Sequence, residues 1–283
     1  MEDNQVSSGM NKINSPEYIE VKGGALFYER KGSGEPIVFI HGNYNDHLIW
    51  EEQMERFSTG YDVISYDLRG YGHSDTPRTP FSNVKDLKML LDTLGLTKVT
   101  LVGSSMGGSV AVDFTLAYPG DVDRLIMAAP SVSGRSYPAR MLWQGIKQHI
   151  QVRLKGAEQA MEHFIANPFW NYYFPAAAKE KARQKTLANV RNPGNFCRFS
   201  PSLAHVSKPY AIHRLAEIGQ PVLIFIGALD HTYNRETAEI LHKGIRHATK
   251  IILPNCGHLP FIEEPEKFSA LTADFLHDDT INA

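Results

Sequence analysis

Apolar positions along this chain follow two rhythms that alternate for over a hundred residues. From Glu17 the stretch YIEVKGGALFYERKG gives two short alternating segments around Gly23-Gly24, the pattern of a β-hairpin with a glycine turn and an antiparallel edge. PIVFIHG is instead a continuous β-branched and aromatic run ending in glycine, as expected of a strand buried on both faces in a parallel sheet. HLIWEEQMERF then sets Leu48, Ile49, Met54 and Phe57 near one helical face, and YDVISYD returns to strand character. After a Gly- and Asp-rich loop, residues 82–94 have helical spacing, with Ser82 placed to cap the helix start and Gly95 to stop it. KVTLVG, SMGGSVAVDFTLAYP and VDRLIMAAP continue as strand, helix and strand.

Between Ser131 and Ile212 that rhythm stops. MLWQGIKQHIQVRL, AEQAMEHFIA and AAAKEKARQKTLANV are helical in pattern, with no strong strand signal between them. PVLIFIGALD, NRETAEILHKGI, TKIILPNCG and EPEKFSALTADFLH then resume the alternation. The expected organisation is a flexible N-terminal segment over 1–16, a core in two parts over 17–130 and 213–283, and a helical cap inserted over 131–212. Near-continuous apolar strands alternating with helices predict a mostly parallel, doubly wound sheet with active residues at its carboxyl ends.

Composition narrows the chemistry. A length of 283 residues with 42% hydrophobic content suffices for one large core, and a net charge of -2 leaves no excess cation for a nucleic-acid backbone. No run approaches the roughly 18 apolar residues that span a bilayer, so membrane insertion is not expected. Cys197 and Cys256 form neither a disulfide framework nor a C-x-x-C pair, and the acidic start MEDNQ has no apolar leader; both fit a cytoplasmic location.

LVGSSMGGSV, residues 101–110, holds the sharpest chemical signal. Gly103-Ser104-Ser105-Met106-Gly107 is a G-x-S-x-G match at a strand-to-helix junction, and the register selects Ser105 over Ser104, which has Val102 and Met106 where glycines would be needed. Glycines at 103 and 107 suit a sharp turn in which strand and helix backbones nearly touch.

With these residues the chain resembles the α/β-hydrolase family, over nearly everything from Glu17 to His277. The resemblance implies an acid after a late core strand, where GALD ends at Asp230, and a histidine after the last one, where NCGH ends at His258. A serine hydroxyl needs a base to become a nucleophile, and an imidazole oriented by a carboxylate supplies one. The resemblance further implies an oxyanion hole from the backbone N–H groups of Met106 and of Asn43, which follows His41-Gly42, and neither a metal nor an organic cofactor.

The expected activity is therefore cleavage of a small ester or related acyl bond by a serine hydrolase, carboxylesterase first among the choices, acting on a small-molecule substrate. Oligomeric state is left open. Dehalogenases and epoxide hydrolases of the fold carry an aspartate where Ser105 stands. Carbon-carbon hydrolases of ring-cleavage products resemble the elbow but read G-N-S-M-G-G, with an aromatic after the histidine, where this chain has Ser104 and Leu259. That activity, and a weakly catalytic ligand receptor of the same fold, remain as alternatives. In NPFWNYYFP, Phe169, Trp170 and Tyr173 can line an apolar pocket or can bind the cap to itself and to the core. Cys256 is expected as a small buried thiol beside the histidine loop.

Overall fold

The computed structural model describes residues 17–197 and 199–278, so the segment 1–16, expected to be flexible, lies outside the described residues. The strands are β1 (Glu17–Val21), β2 (Gly24–Gly32), β3 (Pro36–Ile40), β4 (Asp62–Tyr66), β5 (Val99–Ser104), β6 (Val122–Ala128), β7 (Val222–Gly227) and β8 (Ala248–Leu253). They form one eight-stranded sheet in the order β1-β2-β4-β3-β5-β6-β7-β8. β1 pairs antiparallel with β2, and β2 antiparallel with β4; every later pairing is parallel. The hairpin thus supplies the antiparallel edge of a mostly parallel sheet, as the resemblance to the α/β-hydrolase fold implies.

The helices are α1 (Glu51–Phe57), α2 (Asn83–Leu94), α3 (Met106–Ala117), α4 (Ala139–Lys155), α5 (Ala157–Ala166), α6 (Glu180–Val190), α7 (Thr232–Gly244), α8 (Pro260–Glu263) and α9 (Pro265–Leu276). Alternate strand residues feed two apolar layers: Val38 and Ile40 pack with Leu87, Leu91 and Phe114, while Ile37 and Phe39 pack with Trp50, Phe57 and Phe268. Ser82 accepts from the Lys85 N–H and Gly95 closes α2 in the left-handed region at φ 67°, so that helix starts and stops where its sequence signals stand.

One local reading changes. His47–Trp50 is a 3-10 helix ahead of α1, and Leu48 is exposed while Ile49 and Trp50 are buried. Three residues per turn instead of 3.6 rotate Leu48 away from the face that Met54 and Phe57 define.

Helices α4, α5 and α6 lie between β6 and β7 in the chain; across 131–212 the described residues hold no strand, apart from an isolated bridge of Ala204 to Phe81. Phe164, Trp170 and Val190 of this segment share an apolar cluster with Phe39 and Phe225 of the sheet. The sheet order reverses between β3 and β5, since β4 flanks β3 on one side and β6 flanks β5 on the other. Loops leaving β3 and β5 diverge there, and the crevice at such a switch point is where open α/β sheets bind ligands.

Candidate active site

Strand β5 ends at Ser104 and α3 begins at Met106, so Ser105 alone makes the turn, at φ 51° and ψ -113°. A non-glycine residue at that φ costs about 1–3 kcal/mol and persists only where its surroundings hold it. Here the Ser105 N–H donates to the Ala128 carbonyl at 3.0 Å, and its own carbonyl accepts from the Ser131 N–H at 2.9 Å. A Cβ on Gly103 would meet the Gly107 carbonyl, and one on Gly107 would overlap the Ile40 carbonyl, so neither position tolerates a side chain. The two serines separate clearly: Ser104 is buried with an unpartnered Oγ, whereas Ser105 is partly exposed at the crest of the turn.

Asp230 and His258 meet on the loops beyond β7 and β8. His258 Nδ1 lies 2.9 Å from Asp230 Oδ2, and both side chains are buried. The Asn234 amide donates to Asp230 Oδ1 at 2.7 Å and also lies 3.1 Å from His258 Nδ1. Nδ1 cannot serve both neighbours as acceptor and donor; the charge-assisted bond to the carboxylate is the stronger, which assigns the Nδ1 proton to Asp230 and leaves Nε2 as the basic nitrogen. The His231 N–H adds a third donor to the carboxylate at 2.6 Å. Among the described residues no hydrogen bond joins Ser105 Oγ to His258.

Asn43 stands on the loop after β3, beside the serine: a Cβ on the preceding Gly42 would come within 3.0 Å of Ser105 Cβ. The residue is held at its side chain and its backbone, with Tyr71 Oη donating to Asn43 Oδ1 at 2.7 Å and Tyr173 Oη within 3.2 Å of the Asn43 carbonyl. Met106, with the second expected N–H, is the first residue of α3. His41 has a supporting role: its Nδ1 donates to the Gly42 carbonyl and its Nε2 accepts from the Leu68 N–H, and burial pushes its pKa down, so it stays neutral. Asp67 fastens the same loop, accepting from the His47 N–H and Nδ1 and from the His73 N–H, while Arg69 pairs with buried Asp86.

A second polar cluster ties the helical segment between β6 and β7 to this loop. Asp46, fully buried, accepts from Leu48 N–H and from the side-chain amides of Asn189, Asn192 and Asn195. Asn45 donates to Asn189 Oδ1 at 2.9 Å and accepts from Tyr173 Oη at 2.7 Å. The histidine loop is gripped as well: the Tyr172 carbonyl accepts from the His258 N–H at 3.2 Å, and Glu263 accepts from the Gly257 N–H at 2.8 Å while Lys179 bridges to Glu264. Cys256 is buried there, its thiol pushed up to about 12 chiefly by burial.

The aromatic segment resolves into two kinds of contact. Trp170 and Tyr173 are buried around Phe164, at 5.1 and 5.4 Å between ring centroids, and Tyr44 inserts its ring 4.1 Å from that of Phe164. They therefore join the helical segment between β6 and β7 to itself and to the β3 loop. Phe169 is only half-buried and lies 6.1 Å from His231.

Sequence reading singled out Ser105, Asp230, His258, Asn43 and Met106 as candidates, and the structure sets all five just beyond the carboxyl ends of β3, β5, β7 and β8. It missed Asn234, Asp46 and the amides around Asp46. Asn234 left one signal, a side-chain amide in the first turn of α7, four residues after an Asp230 that stands just ahead of the helix cap.

Comparison with known proteins places this geometry in context. The family model for the alpha/beta hydrolase fold matches residues 35–265. The AB hydrolase superfamily protein YisY of Bacillus subtilis is 31% identical over 259 residues, covering 88% of this chain and 94% of that protein. The 2-hydroxy-6-oxo-6-phenylhexa-2,4-dienoate hydrolase of Comamonas testosteroni is 28% identical, covering 89% and 91% of the two chains. Among solved structures, a thermophilic esterase from Thermogutta terrifontis superposes with a TM-score of 0.77 at 24% identity, covering 95% of this chain and 100% of that one. The chain belongs to the α/β-hydrolase family.

Proposed function

We propose that this α/β-hydrolase is a serine hydrolase that cleaves a small carboxylic ester or related acyl bond, with Ser105, His258 and Asp230 as its triad. The observation that carries the reading is the 2.9 Å contact of His258 Nδ1 with Asp230, which leaves Nε2 free to act as base on the side of the imidazole away from the acid. In the proposed cycle His258 takes the Ser105 proton as Oγ attacks the carbonyl carbon. The N–H groups of Asn43 and Met106 stabilise the negative oxygen that forms, and His258 returns the proton to the departing alcohol. Water, deprotonated by His258, then attacks the acyl-enzyme; the acid leaves and Ser105 regains its proton. Asp230 holds the imidazole in place throughout and stabilises the imidazolium.

A second reading keeps these residues and changes the bond. The Comamonas relative is named for a dienoate hydrolase, which favours carbon-carbon cleavage of a vinylogous diketone as the alternative. Parallel assays on aryl esters of increasing acyl length and on a ring-cleavage dienoate separate the two. Ester hydrolysis with a burst of released alcohol supports the acyl-enzyme reading; dienoate turnover with negligible ester turnover overturns it.

A further inference from the structure

The outer face of α4 carries a pattern that acyl chemistry does not use. Leu142, Ile146, Ile150 and Leu154 recur every fourth residue, with Trp143 beside them, and all five are exposed, from 43% at Ile146 to 77% at Leu154. The other face is occupied: Met141, Gln148 and Val152 are buried, and Gln148 Nε2 donates to the Ala160 carbonyl of α5 at 2.7 Å. The charged residues of α4 are Arg140, Lys147, Arg153 and Lys155, with no Asp or Glu in the helix, although the whole chain has a net charge of -2. Acids resume at Glu158 and Glu162 on α5.

A continuous apolar stripe left in water marks an interaction surface, and its frame of charges says what for. Aliphatic side chains and a tryptophan on a helix with basic residues and no acid describe a helix lying in the plane of an anionic membrane surface. The aliphatic groups would enter the headgroup boundary, and the Lys and Arg stems would reach back to the phosphates. We propose that α4 docks the cap onto an anionic lipid surface. A second copy of the chain is a poorer occupant, because two-fold pairing would set the cations of both helices together with no acid on either to meet them. The contact is peripheral: no helix among the described residues is long and apolar enough to cross a membrane.

The position of α4 gives this docking a use. Asn167 donates to Gln144 of α4 at 3.1 Å, and the Arg140 guanidinium lies 5.5 Å from the centroid of the Phe169 ring. From Asn167 the chain runs directly to Tyr172, whose carbonyl holds the His258 N–H. A docked α4 would therefore place the roof of the cleft at the lipid boundary, where an apolar acyl substrate is concentrated. That last step rests on the proposed ester chemistry; the docking does not.

Flotation of the full chain with vesicles of phosphatidylcholine, alone or mixed with phosphatidylglycerol, tests the proposal. Association with the anionic vesicles is expected, with a blue shift of Trp143 emission, since the other tryptophans, Trp50 and Trp170, are already buried. Replacing Lys147→Gln and Arg153→Gln together should lower partitioning by about fivefold per charge, and Ile150→Asp by about tenfold or more. These exposed-face variants should keep the wild-type circular dichroism spectrum and thermal midpoint, which shows that they fold. Absence of association at low salt, equal association with both vesicle types, or a solution dimer that Ile150→Asp dissociates would each overturn the proposal.

Discussion

The ring of Tyr173 packs against the imidazole of His258, with centroids 5.5 Å apart, while its hydroxyl reaches Asn45 Oδ1 at 2.7 Å and the Asn43 carbonyl at 3.2 Å. One residue thus spans from the proposed base to the proposed oxyanion loop. Tyr173→Phe keeps the ring and removes the hydroxyl, and a neutral hydrogen bond is worth about 1 kcal/mol. The expected result is a fall in kcat of about fivefold with KM nearly unchanged, read from steady-state kinetics on an aryl ester. A raised KM at unaltered kcat would mean that the hydroxyl serves substrate binding instead.

Asn234 donates to the Asp230 oxygen that His258 does not use. Hydrogen bonds to a charged acceptor contribute about 1.5–3 kcal/mol. Asn234→Ala should free the carboxylate to rotate and lower kcat about tenfold or more, with circular dichroism unchanged. Wild-type kcat in this variant would show that the two remaining contacts suffice to orient Asp230.

Asp46→Ala would strip three asparagine amides of their shared acceptor in a buried setting. Each stranded donor costs about 1–3 kcal/mol, so unfolding free energy in urea should drop by about 3 kcal/mol or more. Asp46→Asn, which keeps one carbonyl oxygen, should fall between the alanine variant and the wild type. A loss below about 1 kcal/mol would mean that water replaces the carboxylate without strain.

His47 is held between Asp67, at 2.8 Å from Nδ1, and Glu29, at 3.6 Å from Nε2. Burial alone pushes this imidazole down, but the two carboxylates outweigh it and its pKa is raised to about 10. A group whose pKa is raised on folding stabilises fully below its unfolded value and loses that contribution as pH climbs to the folded value. The thermal midpoint should therefore decline as pH rises from about 6.5 to about 10, and His47→Gln should flatten the decline. An equal slope in both proteins would remove His47 from the account.

Fold and site differ in how far the sequence discloses them. Ile37 to Ile40 and Val222 to Gly227 read as buried strands because a parallel sheet covers both faces, and each of those residues is buried. Ser105 was legible because its turn leaves no room for side chains at 103 and 107, a local constraint that fixes residue type. Asp230 and His258 were legible only through chain order and strand ends. Leu48 misled because a 3-10 turn and an α-turn have nearly the same apolar spacing over four residues. Asp46 could not be found at all: its partners come from 189–195, more than a hundred residues away, and nothing in YNDH distinguishes a buried acceptor of four donors from a loop acid. Lone polar residues reveal burial only through contacts that periodicity does not encode.

The claim beneath these predictions is that His258 activates Ser105, and brief exposure to a fluorophosphonate followed by peptide mass mapping tests it most directly. The account predicts one adduct, on the Oγ of Ser105, absent in Ser105→Ala and formed far more slowly in His258→Ala, with both variants folded. An adduct on Ser104 or elsewhere, or labelling of Ser105 at the same rate without the imidazole, would contradict it.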